Sequence, residues 1–273
     1  MRSMATPTLR PLEFGEILDA AFSVLRRNFW TFVLVAVIPS AIGAGALGLL
    51  AASLSGSNRS DLSADELNAV IGGVVVTVLV TVVASQIATA ALYKAVVDTY
   101  IDGAATAGDA LRFALRRLHS LLWVSLLYAL GLGLGLVLFV VPGIFLYVAW
   151  SLAIPVLMSE DARGTKALRR SSWLVKGRWR GIFGLLIVTF LIAGIFGEVI
   201  GALVGALIDR SGDGALQAGV STFASTLVAS TLTGPLTAAV TAVIYIDQRV
   251  RKEGLDVQLL LARSQPAEAP TAP

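Results

Sequence analysis

The chain predicts an all-α polytopic membrane bundle of six transmembrane helices with interfacial amphipathic helices, and three observations carry that reading. Six long apolar segments run near Trp30–Leu54, Ala69–Leu92, Leu121–Val140, Ile144–Met158, Gly181–Ile208 and Leu216–Ile246. Most exceed the ~20 residues that cross ~30 Å of hydrocarbon as a helix. The composition is 56% hydrophobic and 14% charged, with a mean hydropathy of +0.81, outside the range of a soluble domain. Nineteen of the twenty-one Lys and Arg residues fall in four of the seven intervening stretches, and those four alternate with the other three.

That alternation sets orientation. Arg2, Arg10, Arg26 and Arg27 precede the first span, and Lys94, Arg112, Arg116 and Arg117 lie between the second and third. Seven more, from Arg163 to Arg180, separate the fourth from the fifth; Arg249, Arg251, Lys252 and Arg263 follow the sixth. Only Arg59 and Arg210 remain for the opposite side. By the positive-inside rule both termini are expected in the cytoplasm. The pI of 9.4 therefore points to anionic lipid headgroups rather than nucleic acid, because the positive charge is confined to juxtamembrane loops. Residues 1–12 read as an N-terminal cytoplasmic segment, 13–260 as the membrane domain, and 261–273 as a disordered cytoplasmic tail. No secretory signal is expected ahead of the first span.

Taken in order, the first span is preceded by an amphipathic segment. Phe14, Ile17, Leu18, Ala21 and Leu25 share one face while Glu13, Glu16, Asp19 and Arg26 point elsewhere, so a helix lying flat in the interface is expected. Ala105–Ser120 and Thr165–Arg178 read alike. Gly15, Gly108 and Gly164 are each followed fifteen residues later by Trp30, Trp123 and Trp179, with Leu25, Leu118 and Leu174 at a common offset of ten. We read three copies of one unit, an interfacial helix followed by a membrane hairpin. The third and fourth spans are nearly continuous, and Pro142-Gly143 is expected to break them into a tight hairpin, with a re-entrant pair as the alternative.

Polar residues within the spans are few. Glu198 is the only acidic residue among apolar neighbours, on the outer part of the fifth span; Gln86 adds an amide to the second. Ser225, Thr226, Ser230, Thr231, Thr233 and Thr237 make the sixth span unusually polar. Such a helix suits the centre of a bundle, and Gly234-Pro235 allows local unwinding around a ligand. We take Glu198, Gln86, Ser230 and Thr233 as a candidate intramembrane polar site. Gly131 and Gly135, Gly197 and Gly201, and Gly201 and Gly205 stand at the spacing that brings helices close.

Beyond the sixth span, Asp247 and Arg251, and Arg249 and Glu253, are i, i+4 pairs that continue the helix, and Gly254 suits its end. These four form a candidate cytoplasmic clamp or docking surface, with Glu13, Glu16 and Asp19 or the basic loop as its counterparts. No catalytic constellation is present: there is one His, no Cys, and no P-loop, G-x-S-x-G or dinucleotide fingerprint. No enzyme activity, metal or cofactor is expected. Asp98 and Asp102, one turn apart, are read as solvated or paired with Lys94.

Three stretches carry a resemblance. Arg10-Pro11-Leu12-Glu13-Phe14-Gly15-Glu16-Ile17-Leu18-Asp19-Ala20-Ala21-Phe22, Lys166-Ala167-Leu168-Arg169-Arg170-Ser171-Ser172 after Glu160-Asp161, and Tyr245-Ile246-Asp247-Gln248-Arg249-Val250-Arg251-Lys252-Glu253-Gly254-Leu255-Asp256 resemble the bacterial membrane-protein family named for the membrane domain of glycerophosphoryl diester phosphodiesterases. The resemblance covers roughly Arg10 to Leu260, and the closing motif is its most specific part. Some members of that family carry a hydrolytic domain after the membrane region, whereas here the Pro- and Ala-rich tail Gln265–Pro273 follows, so phosphodiesterase activity is not expected to transfer. The resemblance implies a bacterial cell-membrane protein, in keeping with the excess of Arg over Lys. Two functional classes follow: a membrane scaffold or accessory subunit holding a membrane-protein partner, which the lack of catalytic residues favours, and a small transporter or lipid-handling protein.

Overall fold

The computed structural model describes residues 10–55, 63–102, 105–160, 162–209 and 214–258; the first nine residues and the tail read at 261–273 lie outside the described residues. Among the described residues these helices follow in order: α1 (Phe14–Arg27), α2 (Phe29–Ser55), α3 (Ala64–Asp102), α4 (Ala107–Arg116), α5 (Leu118–Leu138), α6 (Val140–Trp150), α7 (Ala153–Ser159), α8 (Thr165–Val175), α9 (Trp179–Asp209) and α10 (Ala215–Glu253). Among the described residues there is no strand. Six stretches are long and apolar enough to cross a membrane, namely α2, α3, α5, α6 with α7, α9 and α10. The chain is thus an all-α, multi-pass membrane bundle.

The element order repeats three times as a short amphipathic helix and then two spans: α1 before α2 and α3, α4 before α5 and α6–α7, α8 before α9 and α10. The short helices gather at one end of the bundle, which we call the basic end. The starts of α1 and α4 are written locally. At α1 the Glu13 N–H donates to Glu16 Oε2 at 2.8 Å, closing a capping box. That bond and the Arg10 guanidinium hold the Glu16 carboxyl below its ordinary range, so the cap persists at neutral pH and is lost as the pH falls through that lowered value. Thr106 caps α4 by accepting from the Asp109 N–H at 3.2 Å. At the far end of α10, Gly254 takes the left-handed conformation (φ 61°) that ends a helix without a Cβ penalty.

The third and fourth spans meet differently from the expectation. The break is Phe139, extended at φ −157° and ψ 130°, and α6 begins at Val140 with Pro142 inside its first turn. Proline is tolerated there because the first turn's N–H groups have no helical acceptor. The reversal needs close contact rather than Pro142-Gly143 as a hinge: Gly135 sits against the Gly143 backbone, 3.0 Å from where its Cβ would stand. The proline that does interrupt a span is Pro155, which cannot donate to the carbonyl four residues back, and the chain bends at Ser151–Leu152. Buried Ser171 of α8 repairs the bend. Its hydroxyl accepts from the Leu152 N–H at 3.1 Å and donates to the Ala149 carbonyl at 2.8 Å.

No unwinding occurs at Gly234-Pro235. Helix α10 runs unbroken for 39 residues through Pro235, as α2 does through Pro39; neighbouring helices hold such a proline in place within a bundle. Helix α10 is the central strut, packed along α2 and α9 and touching α1, α3, α7 and α8. Every residue from Ala238 to Gln248 is buried. The apolar core surrounds that run at the basic end, with Phe32, Val35, Leu92, Val96, Leu152 and Leu157 among its members. Away from that end Ile71, Val75, Leu79, Leu134 and Phe190 are exposed, as lipid-facing side chains are.

Glycines let α10 approach its neighbours, as the small-residue spacing predicted on α9: Gly197 faces Thr233, Gly201 faces Ala229 and Ser225, and Gly205 faces Ser221. On α2 the closest approach is Gly48, where a Cβ would stand 2.7 Å from the Gly219 carbonyl oxygen. Backbone cannot yield there as a side chain would. Gly48→Ala is expected to destabilise the bundle by about 1–3 kcal/mol, read as a lower unfolding midpoint in detergent. An unchanged midpoint would show that α2 and α10 are not so tightly packed.

Candidate functional site

Two polar regions emerge. The first is the charged extension of α10 at the basic end. The Asp247 carboxylate is fully buried and accepts from the Leu12 N–H at 2.8 Å, from Arg251 Nε at 2.9 and 3.0 Å, and from Gln248 Nε2 at 3.0 Å. Arg178 Nη1 stands 3.7 Å away. Arg251 also donates through Nη2 to the Leu12 carbonyl at 2.6 Å. The segment entering α1 is thereby tied to α10 by both backbone groups of one residue.

A second knot lies on the neighbouring face of α10. Glu160, at the end of α7, accepts from Arg170 Nε at 2.8 Å and Nη2 at 3.1 Å and from the Tyr245 hydroxyl at 2.9 Å. Arg170 also pairs with Glu253, which accepts from Arg249 Nε at 3.0 Å. Burial works to lower the Arg170 pKa, but its bonds to Glu160 and Glu253 outweigh that and raise it. Lys252 donates to the Trp173 carbonyl and, at 2.7 Å, to that of Lys176, satisfying the end of α8.

All four residues taken as a clamp are therefore engaged within the chain. Their partners differ in part from those anticipated. Glu13 and Glu16 are occupied in the α1 cap, and the α10 charges reach instead the Leu12 backbone, Arg178, Glu160 and Arg170. Glu160, Arg170 and Tyr245 stand in the stretches that carry the resemblance, but their pairing is not readable from sequence, although Glu160-Asp161 is the one acidic pair opening an otherwise basic loop. Asp98 is paired with Lys94 at 2.5 Å; the Asp102 side chain lies outside the described residues. Beside this knot is a cavity of about 370 Å³ whose wall includes Lys94, Asp98, Arg117, Glu160, Tyr245 and Arg249.

The second region lies within the spans. A groove of about 410 Å³ between α9 and α10 brings together Glu198, Ser230 and Thr233, with Thr226 and Thr237 beside them. Glu198 is exposed at its mouth, about 28 Å along α9 from Trp179 at 1.5 Å per residue. Gln86 is in a different cavity, of about 310 Å³. The two adjoin, since Tyr147, Leu186 and Thr237 line both. The four residues taken as one site thus occupy two adjoining spaces.

One face of α10 serves all three cavities. Thr233, Thr237, Thr241, Tyr245 and Arg249 succeed one another at i, i+4 and line the groove, the middle cavity and the basic-end cavity in turn. With Thr226 and Ser230 the stripe extends about 35 Å. Its hydroxyls bend back to their own helix, as Ser230 to the Thr226 carbonyl at 2.7 Å, Thr233 to Ala229 at 2.9 Å and Thr241 to Thr237 at 2.8 Å. Their donors are satisfied and their lone pairs remain to accept from whatever fills the groove. Between the middle and basic-end cavities lies one closed turn, where Tyr93 gives way to Val97, Thr241 to Tyr245 and Ile154 to Met158.

Exposed Glu198 makes no hydrogen bond or ion pair among the described residues, so Glu198→Gln is expected to fold with a stability within about 0.5 kcal/mol of the parent, the usual span for a surface substitution. Loss of the monodisperse peak on size exclusion would mean a structural role. No family model, curated protein or solved structure matches the chain.

Proposed function

We propose that this chain is a lipid-handling membrane protein, with a substrate headgroup entering the α9–α10 groove from the bilayer and following the polar stripe of α10. The observation that carries the reading is the unbroken i, i+4 run from Thr233 to Arg249 lining three cavities in succession. Ser and Thr also pack membrane helices, as Thr233 does against Gly197, but this run borders open space at each step. The scaffold reading rests on the interfacial helices and the lack of catalytic residues, and the charged end of α10, which could have served it as a docking surface, is engaged internally. In this proposal the basic end faces the cytoplasm of a bacterial cell. Exposed Arg163, Lys166 and Arg169 there meet anionic headgroups. The resemblance to the phosphodiesterase membrane-domain family is retained as a proposed lineage.

Native mass spectrometry of the gently extracted protein tests this. The parent is expected to carry one class of lipid, and Ser230→Ala combined with Thr233→Val to retain at least fivefold less of it. No retained lipid overturns the reading, and a stoichiometric protein partner in its place restores the scaffold.

A further inference from the structure

The middle cavity has a chemistry of its own. Tyr93, Tyr128, Tyr147 and Trp150 line it together with Gln86 and Ser125, and no charged side chain is among its described lining residues. The Tyr128 and Trp150 rings meet at 54° with centroids 6.2 Å apart, forming a corner of the wall. Trp150 reaches that position because Gly131 opposite has no Cβ, which would otherwise overlap the indole. Gln86 Oε1 and Ser125 Oγ are buried and, among the described residues, without hydrogen-bond partners. A buried carbonyl oxygen left unpaired is costly unless an occupant meets it.

We propose that this cavity is an aromatic cage for an organic cation, a quaternary or alkylated ammonium group. The inference rests on the lipid-handling reading only in that it names the headgroup class of that site. Aromatic faces are the negative part of the ring quadrupole and attract a desolvated cation; the Gln86 carbonyl adds the negative end of an amide dipole. An anion would find no positive group and would lose its hydration uncompensated. At about 310 Å³ the space is about ten times the ~30 Å³ share of one water in the liquid, enough for a trimethylammonium group and accompanying water. The neighbouring groove supplies the entrance, with Glu198 at its mouth as the attracting charge.

The test uses the full chain in nanodiscs of phosphatidylglycerol, a lipid without an amine, titrated with choline while tryptophan emission is followed. A saturable change is expected, absent in Trp150→Phe. Tyr128→Leu and Gln86→Leu are each expected to weaken binding at least fivefold, while Tyr128→Phe, which keeps the ring, retains it; size exclusion confirms that each variant is folded. The uncharged isostere 3,3-dimethylbutan-1-ol is expected to bind at least tenfold more weakly. Equal binding of the isostere, or no saturable change with either compound, overturns the cage. Repeating the titration in phosphatidylcholine nanodiscs separates the sources: suppression shows that the lipid headgroup occupies the site, and an unchanged titration shows that a free solute does. A chain that binds choline but retains no lipid keeps the cage and loses the lipid-handling reading. One that retains only amine-free lipid and ignores choline does the reverse.

Discussion

Asp247→Ala is expected to destabilise the folded bundle by about 3–5 kcal/mol, the cost of removing one partner from a buried ion pair. Asp247 is fully buried and accepts from three donors, the Leu12 N–H, Arg251 Nε and Gln248 Nε2, with Arg178 3.7 Å away, so its loss strands the Leu12 N–H and removes the counter-ion of Arg251. Steric trapping in bicelles reads the free energy, and cellular abundance reads its consequence. Asp247→Asn keeps one acceptor oxygen for Leu12 but loses the charge and turns an amide donor toward Arg251 and Gln248, so its effect is expected to fall below that of Asp247→Ala only by the retained bond, about 1 kcal/mol. The double variant with Arg251→Ala should be less destabilised than the two singles added together, because the second change removes the cation the first leaves stranded. A single variant within 1 kcal/mol of the parent would show that the α1 segment is held by its apolar face alone.

The parts of this molecule that could be read from sequence are those set by local rules. Span number, the short amphipathic helices and the continuation of α10 to Gly254 all follow from hydropathy, periodicity and a cap. The hairpin break was misplaced by a few residues because the effect of Pro142 depends on its position within a helix, and only the extended Phe139 defines that position. Pro235 likewise suggests unwinding by itself, and neighbouring helices override it. The partners of Asp247 and Glu160 were hidden for another reason. Leu12 and Asp247 are 235 residues apart, and Glu160 and Tyr245 are 85 apart, and charge pairing over such separations has no sequence period. Glu198, Ser230 and Thr233 stood out as polar residues in apolar surroundings. Tyr93, Tyr128, Tyr147 and Trp150 did not, since aromatic residues in membrane helices are common and their convergence is a property of packing.

Glu160→Ala is expected to have the second largest effect, about 2–3 kcal/mol, below the buried-pair range because the Glu160 side chain is 20% exposed and its partners Arg170 and Arg249 are 24% and 21% exposed. The loss would leave two arginines facing each other across α8 and α10, with Glu253 as their shared counter-ion, and the Tyr245 hydroxyl without its acceptor. Tyr245 is also the residue of the α10 stripe that closes the turn between the middle and basic-end cavities. A headgroup moving the full length of the stripe must therefore displace Tyr245 and break its 2.9 Å bond to Glu160. Tyr245→Phe removes that bond while keeping the ring and both ion pairs. If the knot is a latch as well as a brace, Tyr245→Phe should speed transbilayer movement of a labelled lipid in proteoliposomes at least twofold, with a loss of stability of only about 1 kcal/mol. Glu160→Ala should lower stability more without a proportionate further gain in rate. Equal rates in the parent and Tyr245→Phe would make the knot a brace alone and confine lipid to the α9–α10 groove, on the far side of the closed turn.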